Sequence, residues 1–182
     1  MIELSELLDP SRMRCQCNIR SKKRAVQTLA ELLAPSVVEI LTKNNRSGDK
    51  RPEDKGLGEG AEEQAQTDMD IFDALITRER LGSTALGHGV ALPHSRLANI
   101  KEPIAAMITL SNGVDFEAQD EKPVDLLIGL LVPERCNDEH LKILAALAQR
   151  FSNNYFRDEL RTFGTDQAEA LYAFLQQPAP AA

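Results

Sequence analysis

The 182-residue sequence contains no tryptophan and only two tyrosines, so it offers few flat rings on which a base or a sugar could stack. It also lacks any excess of positive charge, the formal net charge being −7. That argues against a partner held mainly by neutralised phosphates, such as a nucleic acid or an anionic membrane. Cysteine is scarce. Cys15 and Cys17 sit two apart, an awkward spacing for a disulfide, and with Cys136 they make an odd number that completes no zinc site. The expectation is a reduced, cytoplasmic protein. No apolar stretch approaches the roughly 20 residues of a membrane span, and the N-terminal "MIELSELLDP" is too acidic, with too short an apolar run, for a signal peptide. HExxH, paired CxxC, P-loop and GxSxG patterns are all missing. This speaks against metal-dependent, nucleotide-hydrolysing and serine hydrolase chemistry, and predicts neither a metal nor a cofactor.

What is present is ordinary for a globular chain, with 42% hydrophobic and 27% charged residues, and the length suits a single domain over 1–182. "MRCQCNI" (13–19) reads as a short strand. "SKKRAVQTLAELLA" (21–34) reads as a helix capped by Ser21, with Ala25, Val26, Leu29, Leu32 and Leu33 on one face. Residues 44–66 carry ten charges and four glycines, with Leu57 their only large apolar side chain, which predicts a flexible insertion. Thr67 and Asp70 then fit a capping box for a helix burying Ile71, Phe72, Leu75 and Ile76. "HGVALP" and "PIAAMITL" (103–110) read as strands. "VDLLIGLLV" (124–132) is apolar throughout, as a central strand covered on both faces would be. A helix capped by Asn137 should follow, with Leu141, Leu144, Leu147, Ala148 and Phe151 inward. Two shorter helices come next, the first stopped by Gly164 and the second capped by Thr165. The order predicts an α/β fold, a three-layer α/β/α sandwich around a mixed sheet of about five strands.

Three side chains draw attention. His94 stands directly behind Pro93, where a buried strand should end and hand the chain to a turn. An imidazole there can be a nucleophile, a base or a ligand, or a structural histidine hydrogen-bonded at a strand end. His140 occupies the first turn of its helix, where free N–H groups attract anions and favour a neutral imidazole; an exposed helix-start histidine fits the position as well. Arg78 and Arg80 complement the end of the preceding helix, which is sufficient reason for either. The small-residue loop "GSTALGHG" that follows, with Ser83 and Thr84, could admit a phosphate within reach of a guanidinium. His88, inside it, reads as a surface or packing residue.

Together "RERLGSTALGHGVALPHSRL" (78–97) and "KPVDLLIGLLVPE…EHLKILAALAQRF" (122–151) resemble the mannitol/fructose-type EIIA proteins of the bacterial phosphoenolpyruvate:sugar phosphotransferase system (PTS), and most of all their nitrogen-regulatory branch, EIIA-Ntr. The likeness runs from about residue 67 to 176, and more faintly over 18–34. It implies that His94 is the phosphorylated histidine, His140 the second active-site histidine and Arg78 the arginine that faces the phosphate. Ser95 departs from the glycine of many members and would either stiffen the loop or put a hydroxyl near the phosphate. The implied function is a phosphocarrier and regulator that accepts phosphate from an HPr-like protein, NPr. Its targets would be proteins such as potassium-transport or sensor-kinase components. Two alternatives share the fold: a sugar-specific EIIA that passes phosphate to an EIIB, and a regulatory binding module without phosphate chemistry.

Overall fold

A computed structural model describes residues 4–46, 59–135 and 139–177. A short helix α1 (Leu4–Leu7) and strand β1 (Met13–Cys17) precede the long helix α2 (Lys22–Arg46). Ser21 caps α2, its hydroxyl accepting the Arg24 N–H at 3.2 Å. The expected face is the buried one, with Ala25, Val26, Leu29 and Leu33 fully enclosed. The helix does not stop at residue 34. It runs through Pro35, which removes one donor from the ladder, because Ala34 and Val37 on either side are packed into the core. Contrary to the sequence reading, Lys22–Lys43 has the length and mean hydropathy (1.3) of a membrane span. The sheet uses that apolar surface, and half of the stretch is buried inside the fold, as in a core helix.

The next helix, α3, covers Glu59–Arg80, so the segment expected to be a flexible insertion is helical at 44–46 and 59–66; residues 47–58 lie outside the described residues. Thr67 is therefore inside the helix and not at its N-cap. Asp70 instead accepts the Gln66 side-chain amide at 2.9 Å, one turn back. Ile71 and Leu75 are fully buried, while Phe72 and Ile76 are partly so.

Five more strands follow: β2 (Ala85–Gly87), β3 (Val90–Ala91), β4 (His94–Leu97), β5 (Ile104–Val114) and β6 (Val124–Pro133). The sheet order is β1-β5-β6-β3-β2, with β4 also paired to β6. β1 is parallel to β5, and β3 and β4 to β6; β5–β6 and β2–β3 are antiparallel, so the sheet is mixed as expected. β6 is central and its residues alternate between two cores. Leu126, Ile128, Leu130 and Val132 face one; Leu127 and Leu131 join α2 and α3 in the other. Gly129 falls on the second side, where a Cβ would lie 3.1 Å from that of Leu29. Its bare backbone lets α2 approach.

The first core is closed by α4 (Glu139–Ser152), α5 (Asn154–Thr162) and α6 (Ala168–Leu175). Asn137, the expected cap of α4, lies outside the described residues. The inward stripe of α4 is Ile143, Leu147 and Phe151, with Leu144 at its margin; Leu141, expected inside, is 57% exposed. Ile143 and Leu147 lie one turn apart in line with Phe151, which leaves Leu141 on another face. Thr165 does not cap α6. Gln167 holds that position, and its side-chain oxygen accepts the Gly164 N–H at 2.7 Å instead. Cys15 and Cys17 are free thiols, and burial pushes Cys15 up to about 11; Cys136 lies outside the described residues.

Candidate functional site

The sequence places His94 after a finished strand; the structure places it inside one. Val90 and Ala91 pair with Leu126 and Leu127, and His94 with Leu130, in unbroken register. β3 and β4 therefore run on one track beside β6, interrupted at Leu92 and Pro93. Pro93 has no N–H for the ladder, yet its carbonyl still accepts the Leu130 N–H at 2.9 Å. The register sets His94 on the same sheet face as Leu130, the face that α4 covers.

His94 is half-buried. Its Nδ1 lies 2.8 Å from the Leu92 carbonyl oxygen. A carbonyl can only accept, so Nδ1 carries the proton and Nε2 presents its lone pair. Burial pulls the His94 pKa below the ordinary histidine value. The Arg78 guanidinium and His140 act in the same direction, while the Leu92 hydrogen bond and the Glu79 carboxylate oppose them. The two ends of the chain's motif and the start of α4 thus meet electrostatically at one imidazole. Arg78 also donates to the Gly82 carbonyl at 3.2 Å, closing the turn after α3.

The three hydroxyls of the suggested phosphate loop differ. Ser83 donates to the Phe116 carbonyl at 2.5 Å and accepts from the Ala85 N–H at 3.2 Å. Thr84 is buried and donates to Glu79 Oε2 at 2.5 Å. Both hydroxyl protons are thus engaged within the protein. Ser95 makes only a long 3.5 Å contact with the Arg96 carbonyl, and its pairing with Leu131 turns it to the sheet face opposite His94, so the phosphate role expected for its hydroxyl has no geometric support.

The hairpin leading to His94 is clamped from the far side. His88 and Gly89 have φ of 55° and 79°, and a Cβ at Gly89 would come within 2.7 Å of both Arg161 and Asp125. Arg161 on α5 forks onto Asp125 with two 2.8 Å bonds and donates to the His88 carbonyl at 2.9 Å. A groove of about 760 Å³ opens elsewhere, lined by Lys22, Lys23, Phe72, Ile76, Arg80 and Glu117 among others; neither His94 nor Arg78 nor His140 borders it. Among the described residues no cluster of three histidines, cysteines or carboxylates is placed to hold a metal ion.

The family model for the phosphoenolpyruvate-dependent sugar phosphotransferase system, EIIA 2, matches residues 55–177. The chain belongs to this EIIA 2 family. Its relatives place this EIIA in the nitrogen-regulatory branch. A nitrogen regulatory protein of Pseudomonas aeruginosa is 39% identical over 172 residues, 94% of each chain. Another, from Bradyrhizobium diazoefficiens, is 33% identical over 82% of this chain and 95% of its own. The crystal structure of nitrogen regulatory protein IIA-Ntr from Neisseria meningitidis superposes with a TM-score of 0.71 at 34% identity, covering 95% of this chain and 99% of that one.

Sequence reasoning about this EIIA missed Glu79 and Lys22. Glu79 is 4% exposed, pairs with Lys22 at 3.0 Å, and accepts from both the N–H and the hydroxyl of Thr84. Burial acts against the Lys22 charge, but its hydrogen bonds to Glu79 and Glu117 carry its pKa above the usual lysine value. One signal was legible: a glutamate in the last turn of a helix opposes the macrodipole and so calls for a reason.

Proposed function

We propose that this EIIA is a phosphocarrier and regulator of a nitrogen-related phosphotransferase system. It takes a phosphoryl group on His94 from the phosphohistidine of an HPr-like protein, NPr, and binds target proteins according to its phosphorylation state. The observation that carries this reading is the Nδ1 hydrogen bond of His94 to the Leu92 carbonyl, which leaves a neutral, oriented Nε2 on a ring that feels the charges of Arg78 and His140. In the transfer the Nε2 lone pair forms the new N–P bond as the donor's N–P bond breaks, its electron pair returning to the donor nitrogen. Nδ1 keeps its proton throughout. Such a transition state needs positioning and charge stabilisation more than covalent chemistry. Arg78 and His140 supply the charge stabilisation.

The full-length likeness to nitrogen regulatory proteins favours regulation of targets, such as potassium-transport or sensor-kinase components in the cytoplasm, over delivery of phosphate to a sugar EIIB. Intact mass after incubation with phosphoenolpyruvate and the general phosphotransferase proteins tests the chemistry. The wild type should gain about 80 Da, and His94→Ala nothing. Arg78→Ala and His140→Ala should fold and be labelled more slowly, each by about a hundredfold, as for loss of one preorganised charge-stabilising group. No mass gain in the wild type would leave a binding module of the same fold.

A further inference from the structure

A carboxylate that is both buried and set at the negative end of a helix carries two penalties. Glu79 carries both, in the last turn of α3 and at 4% exposure. Its compensation comes from two directions. Lys22 Nζ, from the first turn of α2, sits 3.0 Å from Oε1. Thr84 donates its backbone N–H to both oxygens at 3.2 Å and its hydroxyl to Oε2 at 2.5 Å.

Thr84 is not the end of the line. Its carbonyl accepts the Leu92 N–H at 3.0 Å, and the Leu92 carbonyl accepts from His94 Nδ1 at 2.8 Å. Leu92 is the residue at which the β3–β4 track breaks, because Pro93 behind it has no donor. Its N–H bonds to the Thr84 carbonyl, which anchors the peptide unit before the Leu92 Cα, and from that anchor the Leu92 φ and ψ set the tilt of the following unit, which carries the Leu92 carbonyl. That tilt decides whether a carbonyl lone pair meets Nδ1. From the groove at Lys22 to the imidazole the links are continuous: ammonium, carboxylate, hydroxyl and amide, carbonyl, amide, carbonyl, ring nitrogen.

We propose that Glu79 is a positioning residue for His94, its Lys22-paired carboxylate fixing Thr84 and, through Thr84, the Leu92 carbonyl that holds the proton on Nδ1 and the lone pair on Nε2. This rests on the reading of His94 as the nucleophile. A purely structural Glu79 would tie α3 to α2 through Lys22 and leave the imidazole indifferent. The two roles differ in what happens to His94 in a variant that still folds.

The test uses the full-length protein and two readouts that need no phosphorylated partner. Long-range proton–nitrogen NMR gives the His94 tautomer, and site-resolved carbethoxylation by diethylpyrocarbonate gives the reactivity of its free nitrogen. The wild type should show the Nδ1–H form alone. Glu79→Gln, which removes the charge, and Thr84→Val, which removes the hydroxyl at constant shape, should each give mixed tautomers. Their carbethoxylation should slow by about tenfold, the scale of coupling through a packed hydrogen-bond network. Thr84→Ser should restore both readouts. Should Glu79→Gln not fold, Thr84→Val and its serine rescue decide alone. Folded variants that keep the wild-type tautomer and rate while losing only thermal stability would overturn the proposal, as would an Nε2–H tautomer in the wild type. A shifted tautomer in the variants of a protein that takes no phosphate would keep the Glu79 relay and remove the phosphocarrier reading.

Discussion

Arg161→Ala breaks the clamp behind the hairpin that leads to His94. Arg161 on α5 makes two 2.8 Å bonds to Asp125 at the start of β6 and a third, at 2.9 Å, to the carbonyl of His88, whose φ is 55°. The side chains of Arg161 and Asp125 are 31% and 27% exposed, so water can replace part of what is lost. A charged hydrogen bond contributes about 1.5–3 kcal/mol when well enclosed, and partial exposure moves this fork to the lower end, about 1.5 kcal/mol. The third partner of the guanidinium, Asp158, is itself 76% exposed and adds little. For a chain of this length that loss lowers Tm by about 3–6 °C. Arg161→Lys keeps the charge but not the fork, so it should recover about half of the loss. Thermal unfolding followed by circular dichroism reads both. A cycle with Asp125→Asn should show coupling above about 0.5 kcal/mol, since the two side chains are in direct contact. A Tm unchanged within a degree for Arg161→Ala, or a lysine variant as stable as the wild type, would refute the account of the clamp.

Gly129→Ala places a Cβ 3.1 Å from the Cβ of fully buried Leu29 and should cost about 1–3 kcal/mol in urea unfolding; an unchanged midpoint would mean α2 is not held this close to β6. Because His94 is held neutral by burial, its phosphorylation rate should stay flat as pH falls to the ordinary histidine value of 6.5 and drop only below it; a rate already falling by half between pH 8 and 7 would contradict the depressed pKa. The same depression bears on stability: as pH falls through 6.5 the unfolded chain takes up the proton before the folded one, so stability present above 6.5 is lost towards the lower folded pKa. His94→Gln should remove that part of the slope, and an unchanged slope would place it in other groups.

The parts of the fold set by local pattern were readable. The buried face of α2 follows from apolar spacing, and the central place of β6 from its continuous apolar run, because both periods are properties of the backbone. Where tertiary packing overrides local preference, the sequence misled. Pro35 does not stop α2, because Ala34 and Val37 are buried on either side of it. Thr67 and Asp70 spell a capping box but sit within a longer helix. Leu141 has the right character for the core and the wrong angle on α4. Arg157 is buried, unusually for an arginine, and donates to the carbonyl of Phe151 at 2.5 Å, near the end of α4. At the site, the three chemically telling side chains stood out by type and position. Glu79 did not, because a carboxylate between two arginines looks like charge pairing until Thr84 and Lys22 are seen to enclose it.

His94 is proposed to accept phosphate through Nε2, with its proton held on Nδ1 by the Leu92 carbonyl. The most direct measurement is proton–nitrogen NMR of the nitrogen-15-labelled protein after phosphorylation, with phosphorus–nitrogen coupling to identify the modified ring atom. One phosphohistidine is expected, at His94, with phosphorus on Nε2 and the Nδ1–H signal retained. Phosphorus on Nδ1 of His94, or on His88 or His140, would contradict it.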